Sequence, residues 1–87
     1  MSSKIILDVT IGEKLRYFRK LKKLTKMDVV RKGNLYGSTM SESTYSKIEQ
    51  DTRNIFASDL IILKKVLGFR YEDLFGDFEN QLDQHDK

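Results

Sequence analysis

The chain contains no proline and only five glycines among its 87 residues. Proline interrupts helices most strongly, because it lacks a backbone N–H and its ring clashes with the preceding turn. Its absence favours an all-α domain whose helices are joined by short turns. The length suits one small domain with a single core. The absence of cysteine excludes a disulfide framework and a thiolate metal site.

The first two helices are predicted from apolar residues at helical spacing and from signals at the helix ends. The first helix covers about residues 11–23. Thr10 and Glu13 at its start have the pattern of a capping box, in which each side chain bonds the other residue's backbone N–H. The second helix follows Thr25 as its N-cap and ends near Gly33.

A loop and two further helices are predicted in the middle of the chain. Residues 33–40, GNLYGSTM, are expected to form a loop, because glycine, asparagine and serine favour turns. Ser41 caps the third helix, and residues 51–54, DTRN, form the turn after it. The fourth helix covers about residues 57–67 and ends at Gly68 as its C-cap. The side chains predicted to face the core are Tyr45 and Ile48 in the third helix and Leu60, Ile61, Leu63, Val66 and Leu67 in the fourth.

The two ends of the chain carry different patterns. Residues 71–84, YEDLFGDFENQLDQ, predict a fifth helix with Leu74, Phe78 and Leu82 on one face. Residues 4–9, KIILDV, favour an extended conformation: an ordered arm, a strand paired with a partner chain, or a frayed end. The predicted divisions are an N-terminal arm (1–9), a central domain (10–76) and an acidic C-terminal helical extension or tail (77–87).

Charge is distributed unevenly along the chain, whose formal net charge is +3. Residues 13–32 contain nine basic and two acidic residues, whereas residues 71–87 contain six acidic residues and one lysine. A polyanion would be attracted to the first segment and repelled by the second. A solvated cationic helix and an acidic solubilising tail would produce the same pattern, so charge alone leaves both interpretations open.

Composition disfavours membrane proteins and enzymes. No apolar run approaches the roughly 20 residues of a membrane span, and the apolar patch in MSSKIILDVT is too short for a signal peptide. We therefore expect a cytoplasmic protein. The only histidine is His85, near the C-terminus, and the acidic residues are scattered. We expect no catalytic residues, no bound metal and no cofactor.

Three stretches resemble, in order, parts of the lambda-repressor-like family, the Cro/repressor-type (XRE) transcriptional regulators. IGEKLRYFRKLKKLT (11–25) resembles the first helix of that family, and SESTYSKIEQDTRN (41–54) resembles its recognition helix and following turn. LKKVLGFRYEDLF (63–75) resembles the fourth and fifth helices. The resemblance implies an all-α, five-helix DNA-binding domain with a helix-turn-helix, in which residues 33–40 lengthen a turn of about four residues by about five. The chain departs from the family at Lys23 (a glycine there), Lys26 (a glutamine) and Ile55 (a proline).

The resemblance implies a transcriptional regulator of repressor type that binds double-stranded DNA sequence-specifically as a homodimer. A helix in the major groove presents donors and acceptors to base edges and phosphates, which accounts for the many hydroxyl residues in SESTYSKIEQ. Glu42 would also suit a first helical turn, and Thr44 and Ser46 could instead face the second helix or solvent. The residues for which the resemblance implies DNA contact are Lys26, Ser41, Glu42, Ser43, Thr44, Ser46, Lys47, Arg53 and Asn54.

The sequence suggests two further roles and one alternative function. Arg19 and Glu49 align with family positions that form a buried ion pair between the first helix and the recognition helix. The predicted dimer interface comprises Phe75, Phe78 and Leu82, with the N-terminal arm as a second contributor. The alternative is a protein–protein adapter, such as an antitoxin or a phage regulator, which uses the same fold to bind a protein partner. The lengthened turn and Glu42 favour this alternative slightly.

Overall fold

In the computed structural model, the described part of the chain forms five helices and one short two-stranded antiparallel sheet. This part comprises the backbone of residues 4–5 and 83–85 and the complete residues 9–82. The predicted all-α class is confirmed at the level of a mostly helical domain. The other residues of the predicted arm and tail, 1–3, 6–8 and 86–87, lie outside the described residues. The elements are β1 (Lys4–Ile5), α1 (Gly12–Leu21), α2 (Lys26–Leu35), α3 (Glu42–Glu49), β2 (Ile55–Phe56), α4 (Ala57–Leu67) and α5 (Tyr71–His85).

A single apolar core holds the helices together. Leu15 of α1, Tyr45 of α3 and Leu74 of α5 are completely buried. Val29 of α2 and Leu63 of α4 join them, so every helix contributes to the same cluster. The orientation of α3 is therefore set by contacts with the whole domain.

Capping side chains fix the starts of α2 and α3, as the sequence predicts. Thr25 Oγ1 accepts a hydrogen bond from the Asp28 amide (3.0 Å), and Asp28 Oδ2 accepts one from the Thr25 amide (2.8 Å). These bonds hold the pKa of the Asp28 carboxyl below its usual value. Ser41 Oγ accepts from the Thr44 amide (3.1 Å) at the start of α3. Gly68 ends α4 with a φ of +79°, so the three predicted end signals are confirmed.

The predicted capping box at Thr10 and Glu13 is wrong. α1 begins after Ile11, which provides no side-chain cap. Instead, Asp51 Oδ1 accepts hydrogen bonds from the Ile11 amide (2.8 Å) and the Gly12 amide (2.9 Å). Asp51 has a φ of +59°, a conformation that aspartate adopts more readily than most residues. Local sequence around Thr10 does not reveal this partner, because it lies 40 positions further along the chain.

Replacing the distant cap should destabilise the protein. We expect Asp51→Ala to lower the free energy of unfolding by about 1–2 kcal/mol, the usual cost of a lost helix cap. Thr10→Ala is the matched control and should change it by less than about 0.5 kcal/mol, as is usual for exposed positions. Chemical unfolding of both variants measures the difference. Equal losses in the two variants would contradict the assignment of the cap to Asp51.

The end of α1 also differs from the prediction, because the helix stops at Leu21 rather than near residue 23. Lys23 adopts a φ of +59°, and the Leu24 amide donates to the Arg19 carbonyl (3.1 Å). A left-handed residue at this place is usually glycine. Because lysine carries no turn signal, the sequence pattern extended the helix too far.

The connection between α2 and α3 is shorter and better ordered than predicted. α2 continues to Leu35, so the expected loop over residues 33–40 is wrong at residues 33–35. Ser38 Oγ donates to Asp59 Oδ1 (2.9 Å) and accepts from the Met40 amide (3.1 Å). Met40 is buried in the core. The connection is thus tied to the start of α4.

The predicted buried stripe of α4 is wrong at one position. Ile61 is 58% exposed, whereas the other four residues of the stripe are buried. Ile61 follows the buried Leu60 by one position, which is about 100° around the helix, so its side chain points away from the core. Because Ile61 is as apolar as its neighbours, the sequence does not reveal this exposure.

α5 extends beyond the core. Leu74 is buried, Phe75 and Phe78 are half-buried, and Leu82 is 68% exposed. The helix runs through Gly76 without a break, across the predicted boundary between the domain and the tail. Lys14 Nζ lies 2.9 Å from Asp77 Oδ2 and joins α1 to α5. Of the three residues predicted for a dimer interface, Leu82 is the most exposed.

The N-terminal strand pairs within its own chain. Lys4 lies opposite Phe56, and Ile5 lies opposite Ile55, in an antiparallel register. Of the three predicted states of residues 4–9, the structure therefore shows an ordered pairing for residues 4–5. β2 leads directly into α4, so this pairing brings the start of the chain to the turn that follows α3.

Candidate nucleic-acid interface

α3 has one face in the core and one face in solvent. Tyr45, Ile48 and Glu49 are buried. Successive helical residues are separated by about 100°, which places Ser43, Lys47 and the following Gln50 on the opposite side. All three are exposed. The helix with the unusual hydroxyl content therefore presents polar side chains to solvent.

A shallow groove of about 420 Å³ lies between the outer face of α3 and the start of α2. Lys26 Nζ donates to Ser46 Oγ (2.9 Å), which joins the two helices across this groove. Five of the nine predicted DNA-contact residues meet here. The lining residues are Lys26, Glu42, Ser43, Ser46, Lys47 and Gln50.

Sequence reasoning missed Gln50. Its spacing was the available signal, because it follows Ser43 by seven positions and Lys47 by three, and so it shares their helical face. The prediction passed from Lys47 to Arg53 and Asn54 in the following turn, although Gln50, as the C-cap, still continues the helical surface.

The other predicted contact residues lie elsewhere around α3. Thr44, Arg53 and Asn54 line a smaller concavity of about 130 Å³ on the opposite flank. Ser41 is exposed at the start of the helix, and its hydroxyl donates to Thr44 Oγ1 (3.1 Å). The predicted residues thus form two surfaces that flank α3, with Ser41 at the tip. Ser46 faces the second helix, one of the two alternatives that the sequence left open.

Glu49 anchors α3 on α1. Its side chain is completely buried, and its carboxylate accepts two hydrogen bonds from Arg19, Nε to Oε2 (2.6 Å) and Nη2 to Oε1 (3.2 Å). Arg19 Nη1 also donates to the Leu24 carbonyl (3.1 Å) in the connection before α2. Arg16 Nε lies further away, 3.7 Å from Oε1, on a half-exposed side chain. The ion pair that the resemblance implied is therefore present, and it joins α1, the connection before α2, and α3.

Burial and ion pairing act in opposite directions on Glu49. Burial alone would raise the pKa of its carboxyl group, but the interactions with Arg19 above all, and with Tyr45 and Lys26, lower this pKa below its usual value. The hydrogen bond with Glu49 raises the pKa of Arg19. Burial, followed by the neighbouring Glu49, raises the pKa of the Tyr45 hydroxyl. Glu49 and Arg19 are therefore both charged at neutral pH, and Tyr45 is neutral.

The Tyr45 hydroxyl lies in this buried setting with no hydrogen-bond partner of normal geometry in the described part of the chain. Among the described residues, it is the one buried side-chain nitrogen or oxygen atom that lacks such a partner. The charged pair of Arg19 and Glu49 lies close enough to this hydroxyl to act on its pKa.

Gly12 allows α1 and α3 to touch. A Cβ atom at this position would overlap the backbone carbonyl of Glu49 and would lie 2.9 Å from Asp51 Oδ2. Any side chain here would push the start of α1 away from the end of α3. The position of α3 therefore depends on a close backbone contact as well as on the ion pair.

The described residues contain no group of three Asp, Glu or His side chains placed to hold a metal ion. None of the helices in that part is long and apolar enough to cross a membrane.

The chain matches no protein-family model, no curated protein and no solved structure. Its function is therefore inferred from the geometry around α3.

Proposed function

We propose that the chain binds double-stranded DNA sequence-specifically, as a transcriptional regulator with a lambda-repressor-like helix-turn-helix. The observation that carries this proposal is the groove beside α3, where an anchored helix presents Ser43, Lys47 and Gln50 outward with Lys26 beside them. A single α-helix fits the major groove of B-DNA, which is about 12 Å wide. The short side chain of Ser43 allows the start of α3 to approach the base edges closely, while the longer Lys47 and Gln50 side chains can extend to them.

Base reading is assigned to the residues on the outer face of α3. Gln50 can bond both exposed groups of an adenine, and Glu42 can accept a hydrogen bond from a cytosine amino group. Ser43 is exposed on the same face as Gln50 and is too short to read more than one base. The ion pair of Glu49 with Arg19 holds these groups at fixed positions, which favours selectivity over general attraction.

Phosphate binding is assigned to cations on both sides of α3. Lys26 lies at the start of α2, and Arg53 lies in the turn after α3, on the opposite flank. Contacts on both flanks set the register of the reading helix on the duplex, although they carry no sequence information themselves. Lys47 belongs to the outer face, where it can reach a phosphate or a guanine edge.

A homodimer completes the proposal. One reading helix contacts only a few base pairs, and a single small module buries about 600–1,000 Å² on DNA. Two copies related by a twofold axis would read two half-sites of a palindrome about one helical turn apart. We therefore expect the bound sequence to be palindromic or nearly so.

Selection from random duplex DNA, followed by titration of the selected duplex at several salt concentrations, tests the proposal. We expect Lys47→Ala to weaken binding and to reduce the slope of log K against log[salt] by about 1, the effect of one lost phosphate contact. Lys22→Ala is the matched control, because Lys22 lies beside Gly68 at the end of α4 rather than on α3. It should leave the slope unchanged. Equal slopes for all three proteins would contradict the role of Lys47.

A second variant separates base reading from general affinity. Gln50→Ala should relax the selected sequence at one position of each half-site, at a cost of about 1–3 kcal/mol for the native site. A selection that enriches no sequence with the native chain would contradict the proposed function.

A protein-binding adapter is the second candidate. The observation that favours it lies at the end of α2, where Leu35 is 86% exposed and the adjacent Tyr36 is also exposed. Isolated exposed apolar residues are common, but two large neighbours at the start of a lengthened connection suit a contact with another protein. Failure to enrich any DNA sequence would favour this candidate.

A further inference from the structure

A second groove lies away from α3, between the end of α2, the outer side of α4 and the start of α5. Its volume is about 360 Å³, and Tyr36, Ile61, Ile62 and Tyr71 form its apolar surface. Leu35 extends this surface in an adjoining concavity. Contiguous exposed apolar residues of this kind usually mark a surface that another molecule covers.

The rim of this apolar groove is basic. Lys64 and Lys65 line it, and Lys32 lines the adjoining concavity. Lys64 Nζ lies 5.3 Å from the centre of the Tyr71 ring. No acidic side chain is among the described residues that line the two concavities. The molecule that fits here must therefore combine apolar side chains with negative charge.

The C-terminal part of α5 has these two properties. Leu82 is 68% exposed at a position where the helix has left the core. Residues 77–85 contain three acidic residues and no lysine or arginine. This acidic end of α5 therefore complements the groove in both polarity and charge.

The acidic end cannot reach the groove of its own chain. Tyr71, at the groove, and Leu82 belong to one continuous helix. Eleven positions at about 1.5 Å each separate them by about 16 Å along a rigid axis. Only the α5 helix of another copy can place Leu82 against Ile61.

We propose that the acidic end of α5 from a second copy of this chain occupies the apolar groove. The groove lies at the start of α5 and the acidic end lies at its other terminus, so two antiparallel α5 helices exchange the contact reciprocally. A reciprocal contact of this kind closes into a twofold dimer. The proposal thus assigns a surface to the dimer that the proposed function requires. The groove is formed by residues outside the reading face of α3, so both surfaces can act at once.

Sedimentation of the purified full chain without DNA tests this dimer independently of DNA binding. We expect the native chain to dimerise, and we expect Ile61→Asp in the groove and Leu82→Asp on α5 each to weaken the dimer about tenfold or more, as for buried interface residues. Leu21→Asp is the matched control, because Leu21 is equally exposed on α1 but lies in neither surface. It should not change the dissociation constant. Circular dichroism checks that every variant is folded.

Mixing the two variants distinguishes a reciprocal contact from a general loss of association. A mixed dimer of Ile61→Asp and Leu82→Asp chains retains one intact contact, the native acidic end of the first in the native groove of the second. The mixture should therefore associate more tightly than either variant alone.

The proposal is overturned by a native chain that stays monomeric, or by a dimer that neither substitution weakens. A dimer weakened by Ile61→Asp but not by Leu82→Asp would also overturn it, because another occupant would fill the groove. None of these results depends on DNA, so failure of the dimer surface and failure of the proposed function are distinguishable.

Discussion

Arg19→Met is expected to lower the free energy of unfolding by about 3–5 kcal/mol, because it leaves a buried charge without its main partner. The remaining ion-pair partner of Glu49 would be Arg16, whose guanidinium lies 3.7 Å away on a half-exposed side chain. Urea unfolding at neutral pH measures the loss. The double variant Arg19→Met/Glu49→Leu is the control and should recover most of the lost stability, since apolar pairs replace buried ion pairs at little cost. A double variant no more stable than the single one would contradict this account.

The ion pair of Arg19 with Glu49 should also make the stability of the protein depend on pH. In the native chain the pKa of Glu49 is lower in the folded state than in the unfolded state. The pair therefore contributes stability above the unfolded pKa, and this contribution is lost as the pH falls through the folded pKa. In Arg19→Met, burial raises the pKa of Glu49, because the guanidinium that opposes this effect is absent. The Glu49 carboxylate therefore takes up a proton when this variant folds at neutral pH. The penalty of the substitution should thus be larger at neutral pH than at about pH 4. An equal penalty at both pH values would contradict the assigned roles of burial and pairing.

Gly12→Ala is the second substitution with a large expected effect. The new methyl group would overlap the carbonyl of Glu49, and that carbonyl is backbone that cannot rotate away. We expect a loss at or above the upper end of the range of about 1–3 kcal/mol for overpacked sites, because the start of α1 must move away from α3. Thermal unfolding measures it.

Gly76→Ala is the matched control for Gly12→Ala. Gly76 lies in the middle of α5, and a Cβ atom there would meet only Glu72 Cβ at 3.9 Å. Alanine should stabilise this helix by about 0.5–1 kcal/mol, the difference in helix propensity. A similar gain from Gly12→Ala would mean that the close contact between α1 and α3 does not exist in solution.

The ends of the helices were predicted correctly where the capping residue and the residue that it bonds lie close together in the sequence. Thr25 and Asp28 lie three positions apart, and Ser41 caps the helix that follows it directly, so both starts could be predicted. Gly68 marked the end of α4 for the same reason. The start of α1 was assigned to the wrong partner, because Asp51 reaches it only after the chain has folded.

Exposure was harder to predict than helical structure. Ile61 has the same chemical character as its buried neighbours, so apolar character alone does not distinguish the exposed position from the buried ones. At the candidate site, Lys26, Ser43, Ser46 and Lys47 line one groove. The spacing within α3 predicts that Ser43 and Lys47 share a face, but the position of Lys26 beside them depends on how α2 packs against α3. The sequence could not separate Arg53 from this group, since that separation depends on how the turn after α3 folds back.

The cap that Asp51 supplies has a consequence for hydrogen exchange. The first amides of a helix usually lack a partner and exchange quickly with solvent. Here the amide hydrogens of Ile11 and Gly12 are bonded to a residue just beyond α3. Their exchange should be slow, and it should occur only when α1 and α3 separate. The exchange rates of the Ile11 and Gly12 amides therefore report how often the end of α3 separates from α1, although both amides lie at the start of α1.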